Sequence, residues 1–314
     1  MKILTLANST LRLRIAPDLG ASPTELALHR TLLPRAPSTA PQWLPIWRPT
    51  SQAAIDRGDS AEFSSYTLAP YSNRIRDGKL RFRGQTHALA PNWPNGQTIH
   101  GDVRMRPFVV ESSASDAVLC RYRSRSSPAV NFPFHFDLTT EYRLRDTALE
   151  IDLALTNTDD RELPAGLGIH PYFVRWLWPG SPSPRLRFAA TGHYPVDAQI
   201  IPTGPAQPLL PQHDFSTPRE VYAQPIDCAF AGWDGLAELT WPDTGLSLQL
   251  RADPVFGHFV VYNGAADGTL ALEPVSHATD ACNLAERGIA GTGLQVLAPG
   301  QTLRGRITLT WVVD

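Results

Sequence analysis

The chain has 314 residues, a formal net charge of −2 and a pI near 6.5. Hydrophobic residues make up 42% of it and charged residues 18%, so a sizeable core can be buried, and the balanced charge excludes a polybasic surface for nucleic acid or anionic membranes. Its 29 prolines are roughly double the usual share of about 5%, which opposes long helices and favours short strands joined by structured loops.

Alternation of apolar and polar residues runs along most of the chain and predicts strands. The predicted strands, in chain order, span residues 11–15, 25–28, 80–83, 117–122, 136–144, 149–156, 237–241, 246–251, 258–262, 270–274 and 303–312. Three proline-rich segments between them are predicted to be irregular loops: 34–50, 175–185 and 202–225. We expect the first of these loops to cover one edge of the sheet.

The sequence contains no long amphipathic helix, no convincing internal repeat and no break in composition. We therefore predict an all-β fold in a single domain over residues 1–314, built as an antiparallel sandwich or barrel. Doubly wound α/β folds are disfavoured because no helices alternate with the strands. A glycine-rich dinucleotide fingerprint and a phosphate-binding loop are both absent from the sequence.

The three cysteines, Cys120, Cys228 and Cys282, lie far apart and match no metal-ligand spacing. Their odd number rules out a complete disulfide framework, so a reducing compartment is the simpler interpretation. The N-terminal residues have no signal-peptide pattern, and no stretch approaches the roughly 18 apolar residues of a membrane span. We predict a soluble cytoplasmic protein that binds neither membranes nor nucleic acid.

The segment from residue 71 to 101 carries several polar groups on loops around a short strand. It begins with Asn73 and Arg74, turns, forms a strand, and ends in a loop rich in Asn, Pro and Gly that leads to His100. Loops held on a rigid β scaffold often present ligand-binding groups, so this segment predicts a polar ligand site. Two alternatives remain: a surface salt bridge for Arg74 and a hydrogen-bonded loop histidine for His100.

His170 lies in the sequence Gly-Ile-His-Pro-Tyr-Phe, and the following proline holds it in an extended conformation. Its apolar and aromatic neighbours predict partial burial, which lowers the pKa of a histidine, whereas a nearby carboxylate raises it. An imidazole with a pKa near neutrality can act as an acid or a base. The alternative is a core histidine whose hydrogen bonds are satisfied.

Glu273 stands at the end of the apolar strand Leu-Ala-Leu-Glu-Pro, where a carboxylate is costly to bury unless it is paired or used. Burial would raise its pKa and make it a stronger base. Asp227 precedes a predicted strand and could accept hydrogen bonds from ligand hydroxyls, whereas Asp234 precedes a glycine and indicates a turn. An exposed glutamate at a strand end is the alternative for Glu273.

Taken together, these segments resemble the aldose 1-epimerase (galactose mutarotase) family. The matching pieces follow the family's order over most of the chain: residues 17–21, Asn73-Arg74-Ile75, the loop into His100-Gly101, His170-Pro171-Tyr172-Phe173, residues 227–235 and Leu272-Glu273-Pro274. The resemblance implies a large antiparallel β-sandwich of the galactose mutarotase-like type, with a sugar bound in an open cleft. The three proline-rich loops are expected to reshape that cleft.

The resemblance also implies a role for each matching residue. Glu273 would be the general base that takes the proton from the C1 hydroxyl, and His170 the general acid that protonates the ring oxygen. His100 and Arg74 would bind sugar oxygens near the ring. Asp227 would hold sugar hydroxyls, and Asn73 would bind the sugar or support its binding residues. The implied enzyme needs no cofactor and no metal, its partner is a small-molecule sugar, and it is a monomer or a homodimer.

Other functions remain open from the sequence, and so does the identity of the aldose. A non-catalytic carbohydrate-binding protein would need the cleft but not the acid and the base. A metal-dependent sugar isomerase could use His100, His170 and Glu273 as ligands. A glycoside hydrolase would need two carboxylates, which Glu273 and Asp227 could supply. A hexose-6-phosphate mutarotase would need further cations, for which the candidates are Arg76, Arg81, Arg83, Arg104 and Arg106.

Overall fold

The computed structural model of the protein describes residues 1–93, 95–264 and 268–313. These residues form twenty-six strands, two α-helices and six short 3₁₀ helices. In the first half of the chain the strands are β1 (Leu4–Ala7), β2 (Leu11–Ala16), β3 (Ser22–His29), β4 (Trp43–Pro45), β5 (Thr67–Leu68), β6 (Arg74–Ile75), β7 (Lys79–Phe82), β8 (Gln85–Ala88), β9 (Thr98–Ile99), β10 (Val109–Ser113), β11 (Ala117–Arg123), β12 (Phe136–Arg145) and β13 (Ala148–Asn157). In the second half they are β14 (Leu163–Ala165), β15 (Gly168–Ile169), β16 (Tyr172–Val174), β17 (Arg185–Phe188), β18 (Gly192–His193), β19 (Arg219–Glu220), β20 (Asp227–Ala231), β21 (Leu236–Trp241), β22 (Leu246–Ala252), β23 (His258–Gly264), β24 (Thr269–Val275), β25 (Gln295–Leu297) and β26 (Thr302–Val313). The helices are α1 (Gln52–Arg57) and α2 (Ala281–Glu286), and the 3₁₀ helices are Arg30–Leu32, Ser60–Glu62, Arg76–Gly78, Val103–Met105, Ser124–Ser126 and Pro211–His213.

Two large antiparallel sheets dominate the fold. One has nine strands in the order β10-β11-β12-β13-β26-β22-β21-β17-β19. The other has seven strands, in the order β18-β20-β23-β24-β15-β5, with β16 also pairing with β24. A four-stranded sheet, β1-β2-β3-β4, and the pairs β6-β9, β7-β8 and β14-β25 complete the arrangement. The prediction of an all-β antiparallel fold is confirmed.

Alternation of side chains decides which face of each long strand is buried. Along β13, Leu149, Ile151, Leu153 and Leu155 are buried, and the residues between them are only partly covered. Each such side chain contributes about 1.5–3 kcal/mol when fully buried. A slip of one residue in the pairing would turn all four to the other face, so the sequence pattern specifies the register.

Aromatic side chains join the faces of the two large sheets. The ring of Phe188 on β17 lies 4.9 Å from that of Phe230 on β20 and 5.0 Å from that of Phe259 on β23. One cluster of buried hydrophobic residues includes members of both sheets and of the four-stranded sheet. The predicted β-sandwich is therefore confirmed. The shared core favours the prediction of a single domain, which stays a prediction.

Two of the predicted loops contain short strands that the sequence did not indicate. Strand β4 lies within residues 34–50 at the edge of the four-stranded sheet, and β19 lies within residues 202–225 at the edge of the nine-stranded sheet. The prediction that these segments are irregular throughout is therefore wrong. Strands of two or three residues are too short to show alternation, and edge strands tolerate the prolines that mark these segments.

In the described parts of the chain, no helix is both long enough and apolar enough to cross a membrane. The three cysteines are buried and unpaired.

Candidate active site

Strand β24 brings together the predicted base and the predicted acid. Glu273 stands on β24, opposite Val260 on the neighbouring strand β23. His170 lies in the gap between β15 and β16, and both of these short strands also pair with β24. The backbone of His170 is held there by its N–H, which donates to the carbonyl of Tyr66 at 3.0 Å. Two residues far apart in the sequence thus share one side of the seven-stranded sheet.

The side chains of Glu273 and His170 are in direct contact. Oε1 of Glu273 lies 3.1 Å from Nε2 of His170, and both residues are almost completely buried. Burial raises the pKa of Glu273 well above its ordinary value, with a further contribution from the charge of Asp227 and opposition from Arg74. Burial also lowers the pKa of His170 to about 3, helped by the charge of Arg48. Both shifts favour a pair that holds one proton and no net charge.

Three buried polar atoms in this region have no hydrogen-bond partner among the described residues: Oε2 of Glu273, Nδ1 of His170 and Nδ1 of His100. Most buried polar groups in folded proteins are hydrogen-bonded, and an exception requires an explanation. A ligand with several hydroxyl groups could donate to the carboxylate oxygen and bond to the imidazole nitrogens. The three atoms are therefore candidate partners for a polar ligand.

A second wall comes from the pairing of β6 with β9. Arg74 on β6 lies opposite Ile99 on β9, and His100 directly follows that strand. The backbone N–H of His100 donates to the carbonyl of Asn73 at 2.9 Å. Asn73 and His100 both have positive φ, at 55° and 63°, so the chain turns sharply at each. Described residues on and next to β6 and β9 thus form one wall of the candidate site.

Arg74 is held by neighbours on two sides. Oδ1 of Asn73 accepts hydrogen bonds from the backbone N–H of Arg74 at 2.9 Å and from Nη1 at 3.1 Å. Nε of Arg74 donates to Oε1 of Gln97 at 3.3 Å. Nη2 lies 3.8 Å from Oδ2 of Asp227, which is too long for a hydrogen bond. Asp227 and the Nη2 end of Arg74 can therefore both bind a ligand.

His100 packs edge-to-face against His170. The centres of the two imidazole rings are 5.0 Å apart and the rings are nearly perpendicular. Burial lowers the pKa of His100 well below its ordinary value, and the charges of His170 and Arg104 add to the effect. At neutral pH its ring is therefore uncharged and can offer one donor and one acceptor.

One cavity of about 220 Å³ unites these groups. All six predicted site residues line it: Asn73, Arg74, His100, His170, Asp227 and Glu273. Five further lining residues were not predicted from the sequence: Trp93, Ile99, Tyr172, Val260 and Tyr262.

The missed residues differ in the signals they carry. Tyr172 follows His170 within the same motif, and its ring lies 4.5 Å from the imidazole. Trp93 stands in the Asn-rich loop that leads to His100, so both aromatics could have been suspected. Tyr262 is 39% exposed on a central strand, and nothing in the sequence pattern indicated that exposure. Val260 and Ile99 resemble ordinary strand residues and gave no signal.

The arginines considered for a phosphate group are not among the residues that line the cavity. Three of them form ion pairs elsewhere: Arg76 with Asp197, Arg83 with Glu162 and Arg106 with Asp102, each at 2.7 Å. Arg104 is buried and donates to Oγ of Ser60 and the carbonyl of Asn92, and the side chain of Arg81 is exposed. Of the described lining residues, Arg74 alone carries a positive charge.

Neither the proline-rich loops nor a metal site contributes to the cavity in the described parts of the chain. No described residue from 34–50, 175–185 or 202–225 lines the cavity, so the expectation that these loops reshape it finds no support. Within residues 1–93, 95–264 and 268–313, no group of three or more His, Cys, Asp or Glu side chains is arranged to hold a metal ion.

Comparison with known families identifies the family of the chain. The sequence model of the family described as aldose 1-epimerase matches residues 44–310. The chain belongs to the aldose 1-epimerase family. One relative is the uncharacterized protein YphB of Escherichia coli K12. It is 27% identical to this chain over 274 residues, which cover 84% of this chain and 88% of YphB.

Solved structures show the same architecture. A galactose mutarotase-like protein from Clostridium acetobutylicum superposes with a TM-score of 0.84 at 18% identity, covering 99% of this chain and 95% of that one. A galactose 1-epimerase from Lactobacillus acidophilus NCFM gives a TM-score of 0.76 at 16% identity, covering 99% and 94%. At these identities the likeness shows a shared fold. The predicted galactose mutarotase-like sandwich is thereby confirmed.

Proposed function

We propose that this member of the aldose 1-epimerase family interconverts the α- and β-anomers of an aldose by acid–base catalysis. The observation that carries the proposal is the buried contact of 3.1 Å between Glu273 and His170 in a cavity lined with polar groups. A carbohydrate-binding protein gains nothing from burying an unpaired carboxylate oxygen beside an imidazole, and that burial is costly. In a proton-transfer mechanism, Glu273 would act as the base and His170 as the acid.

The proposed reaction needs one proton removed and one delivered. The carboxylate of Glu273 takes the proton of the C1 hydroxyl, and a C1=O double bond forms as the bond from C1 to the ring oxygen breaks. The electron pair of that broken bond stays on the ring oxygen, which takes a proton from the imidazolium of His170. Rotation about C1–C2 then presents the other face of the aldehyde. Reclosure runs the same steps in reverse, and the two residues exchange roles.

The environment of the pair suits these roles. A carboxylate whose pKa is raised by burial is a stronger base, and an imidazolium whose pKa is lowered is a stronger acid. The proton that the pair shares lies on His170 in the reactive form, and a bound sugar would separate the two side chains. Positioned acid–base catalysis typically contributes about 10²–10⁴-fold in rate.

The remaining lining residues would bind and orient the sugar. Arg74 and His100 would donate to oxygens near the ring and stabilise the charge that develops there. Asp227 would accept hydrogen bonds from sugar hydroxyls, and Asn73 would act by holding the guanidinium of Arg74. The cavity of about 220 Å³ is smaller than the roughly 300–1,000 Å³ of typical drug-sized sites, which suits a single sugar ring.

The deciding experiment measures mutarotation by polarimetry or NMR exchange on freshly dissolved α-glucose and α-galactose. We expect the protein to accelerate equilibration, Glu273→Ala to abolish the acceleration, and His170→Asn to reduce it nearly as much. Full activity of the Glu273→Ala variant would overturn the mechanism. Sugar binding without acceleration, across a panel of aldoses, would instead identify a carbohydrate-binding protein.

A further inference from the structure

The chain that leaves β24 is bonded to the chain around β6. The backbone N–H of Ser72 donates to Nε2 of His277 at 3.3 Å, and Oγ of Ser72 donates to the carbonyl of His277 at 3.4 Å. Further along, the N–H of Asp280 donates to the carbonyl of Arg74 at 3.0 Å, and Oδ1 of Asp280 accepts from the N–H of Arg76 at 3.0 Å. The strand that carries Glu273 is thus tied to the segment that carries Arg74.

Asp280 makes the two bonds that flank Ile75, and its setting is unusual. It is 1% exposed, has a positive φ of 60° and immediately precedes α2. An aspartate at that position usually caps the helix, but this side chain makes no such bond. Its Oδ1 instead accepts from Arg76 and from Nδ2 of Asn283 at 2.6 Å. Burial raises the pKa of Asp280 to about 6, so the carboxylate is kept at a cost.

We infer that Asp280 is a positioning residue for the sugar site. Its two hydrogen bonds hold the chain on both sides of Ile75 and thereby fix the position of Arg74 relative to Glu273. Asp280 is not among the cavity-lining residues, so its effect passes through Arg74. The inference rests on the proposed function, because sugar binding is the role proposed for Arg74. Misplacement by about 1 Å at such a site can cost on the order of 10²-fold in rate.

Two substitutions separate the carboxylate from the backbone conformation. Glycine adopts positive φ without strain, so Asp280→Gly removes the side chain and leaves the turn accessible. Asparagine also tolerates this conformation, and its Oδ1 can accept from both Arg76 and Asn283 as the carboxylate does. We expect Asp280→Gly to raise KM by at least about tenfold, as for loss of the hydrogen bond that the charged Arg74 is proposed to make to the sugar. Asp280→Asn should restore KM to within about threefold of wild type.

A double-mutant cycle tests whether the effect passes through Arg74. If it does, Asp280→Gly changes KM by less than about twofold when introduced into an Arg74→Ala protein. Asp234→Ala is the matched control, because Asp234 is an exposed aspartate that accepts from the N–H of Leu236 at 3.0 Å and does not line the cavity. Should Asp280→Gly fail to fold, Asn283→Ala removes one donor to Oδ1, and a smaller rise in KM is expected.

Hydrogen exchange gives a readout that does not depend on catalysis. We expect Asp280→Gly to speed exchange of the Arg76 amide while the amides of β13 keep their protection. A lower Tm with unchanged KM would mean a purely structural role and would overturn the inference. An equal KM effect with and without Arg74 would also overturn it. If the wild-type protein shows no mutarotation, the proposed function fails, and the exchange experiment still decides whether Asp280 holds β6.

Discussion

Oε1 of Glu273 lies 3.1 Å from Nε2 of His170, and this contact closes one side of a cavity whose other side carries Arg74 and His100. Because both partners are buried, the pair disfavours the state with two protons and the state with none. The two pKa shifts therefore belong to the pair as a unit, and what matters for catalysis is the pH range in which it holds one proton.

The first prediction concerns Glu273→Gln, which keeps the shape of the side chain but cannot accept the C1 proton. We expect the catalysed rate to fall by about 10²–10⁴-fold. The free energy of unfolding, in contrast, should rise in the variant. The pKa of Glu273 is raised in the folded protein, so ionisation above its unfolded value of about 4.3 favours the unfolded state, and stability is lost as pH rises through the folded value. Glutamine avoids that loss.

Thermal unfolding of wild type and Glu273→Gln between pH 4 and pH 8 measures this difference. The Tm of the variant should exceed that of the wild type increasingly as pH rises. Glu238→Gln is the control, since Glu238 pairs with Arg187 at 3.1 Å on the nine-stranded sheet, away from the cavity. A Tm difference that shrinks as pH rises would contradict the assigned burial of the carboxylate.

The second prediction is the pH dependence of kcat/KM for the free enzyme. Below the pKa of His170, at about 3, the pair gains a second proton, and above the raised pKa of Glu273 it loses its only one. We therefore expect a bell-shaped profile with its acid limb near pH 3 and its alkaline limb above 4.5, measured as the rate in excess of uncatalysed mutarotation. An acid limb between pH 5 and 7 would show that the histidine titrates in its ordinary range.

Much of this architecture could be predicted from the sequence because it is encoded locally. The alternation in β12 and β13 specifies length, buried face and register within a few residues. The two-residue strands β6, β9 and β15 carry no such pattern, yet β6 and β9 form one wall of the cavity and β15 delivers His170. Their pairing depends on tertiary contacts, which no local period records.

The same limit applies to the candidate site. Each of Arg74, His170 and Glu273 had an ordinary alternative, and only the order of the motifs along the chain grouped them. The distance of 3.1 Å arises because β15 and β16 both pair with β24. Tyr262 and Val260 reach the cavity from β23 for the same reason. Whether a residue lines the cavity depends on how several strands pair in the sheet. The positions of Tyr262 and Val260 therefore could not be predicted from their local sequence.

The third prediction is that Arg74→Lys weakens sugar binding although it keeps the positive charge. The guanidinium bonds simultaneously to Asn73 and Gln97 and points Nη2 towards Asp227, and a lysine amine cannot reproduce that planar arrangement. We expect KM to rise about tenfold, the loss of roughly 1.4 kcal/mol, with a smaller change in kcat.

Arg187→Lys is the matched control for this substitution, because Arg187 forms an ion pair on the nine-stranded sheet and does not line the cavity. Its KM should stay within about twofold of wild type, because Arg187 does not line the cavity. An Arg74→Lys enzyme with an unchanged KM would show that charge alone suffices at this position.

The fourth prediction concerns Gly101, which directly follows His100. Its φ is +69°, and a Cβ at this position would lie 2.0 Å from the carbonyl oxygen of Ala69. That oxygen belongs to the backbone and accepts from the N–H of Asp102 at 3.0 Å, so it cannot simply rotate away. We expect Gly101→Ala to lower the free energy of unfolding by at least about 3 kcal/mol and to reduce activity by displacing His100.

Gly84→Ala separates the clash from backbone strain. Gly84 has a similar φ of +72°, but a Cβ there would meet no described atom within 4 Å. Its substitution should cost only the roughly 1–2 kcal/mol of an L-residue in the left-handed region and should leave KM unchanged. Denaturant unfolding gives both free energies. Equal losses at the two positions would mean that the chain relaxes around Ala69, and His100 would then owe its place to the pairing of β6 with β9 rather than to this close approach.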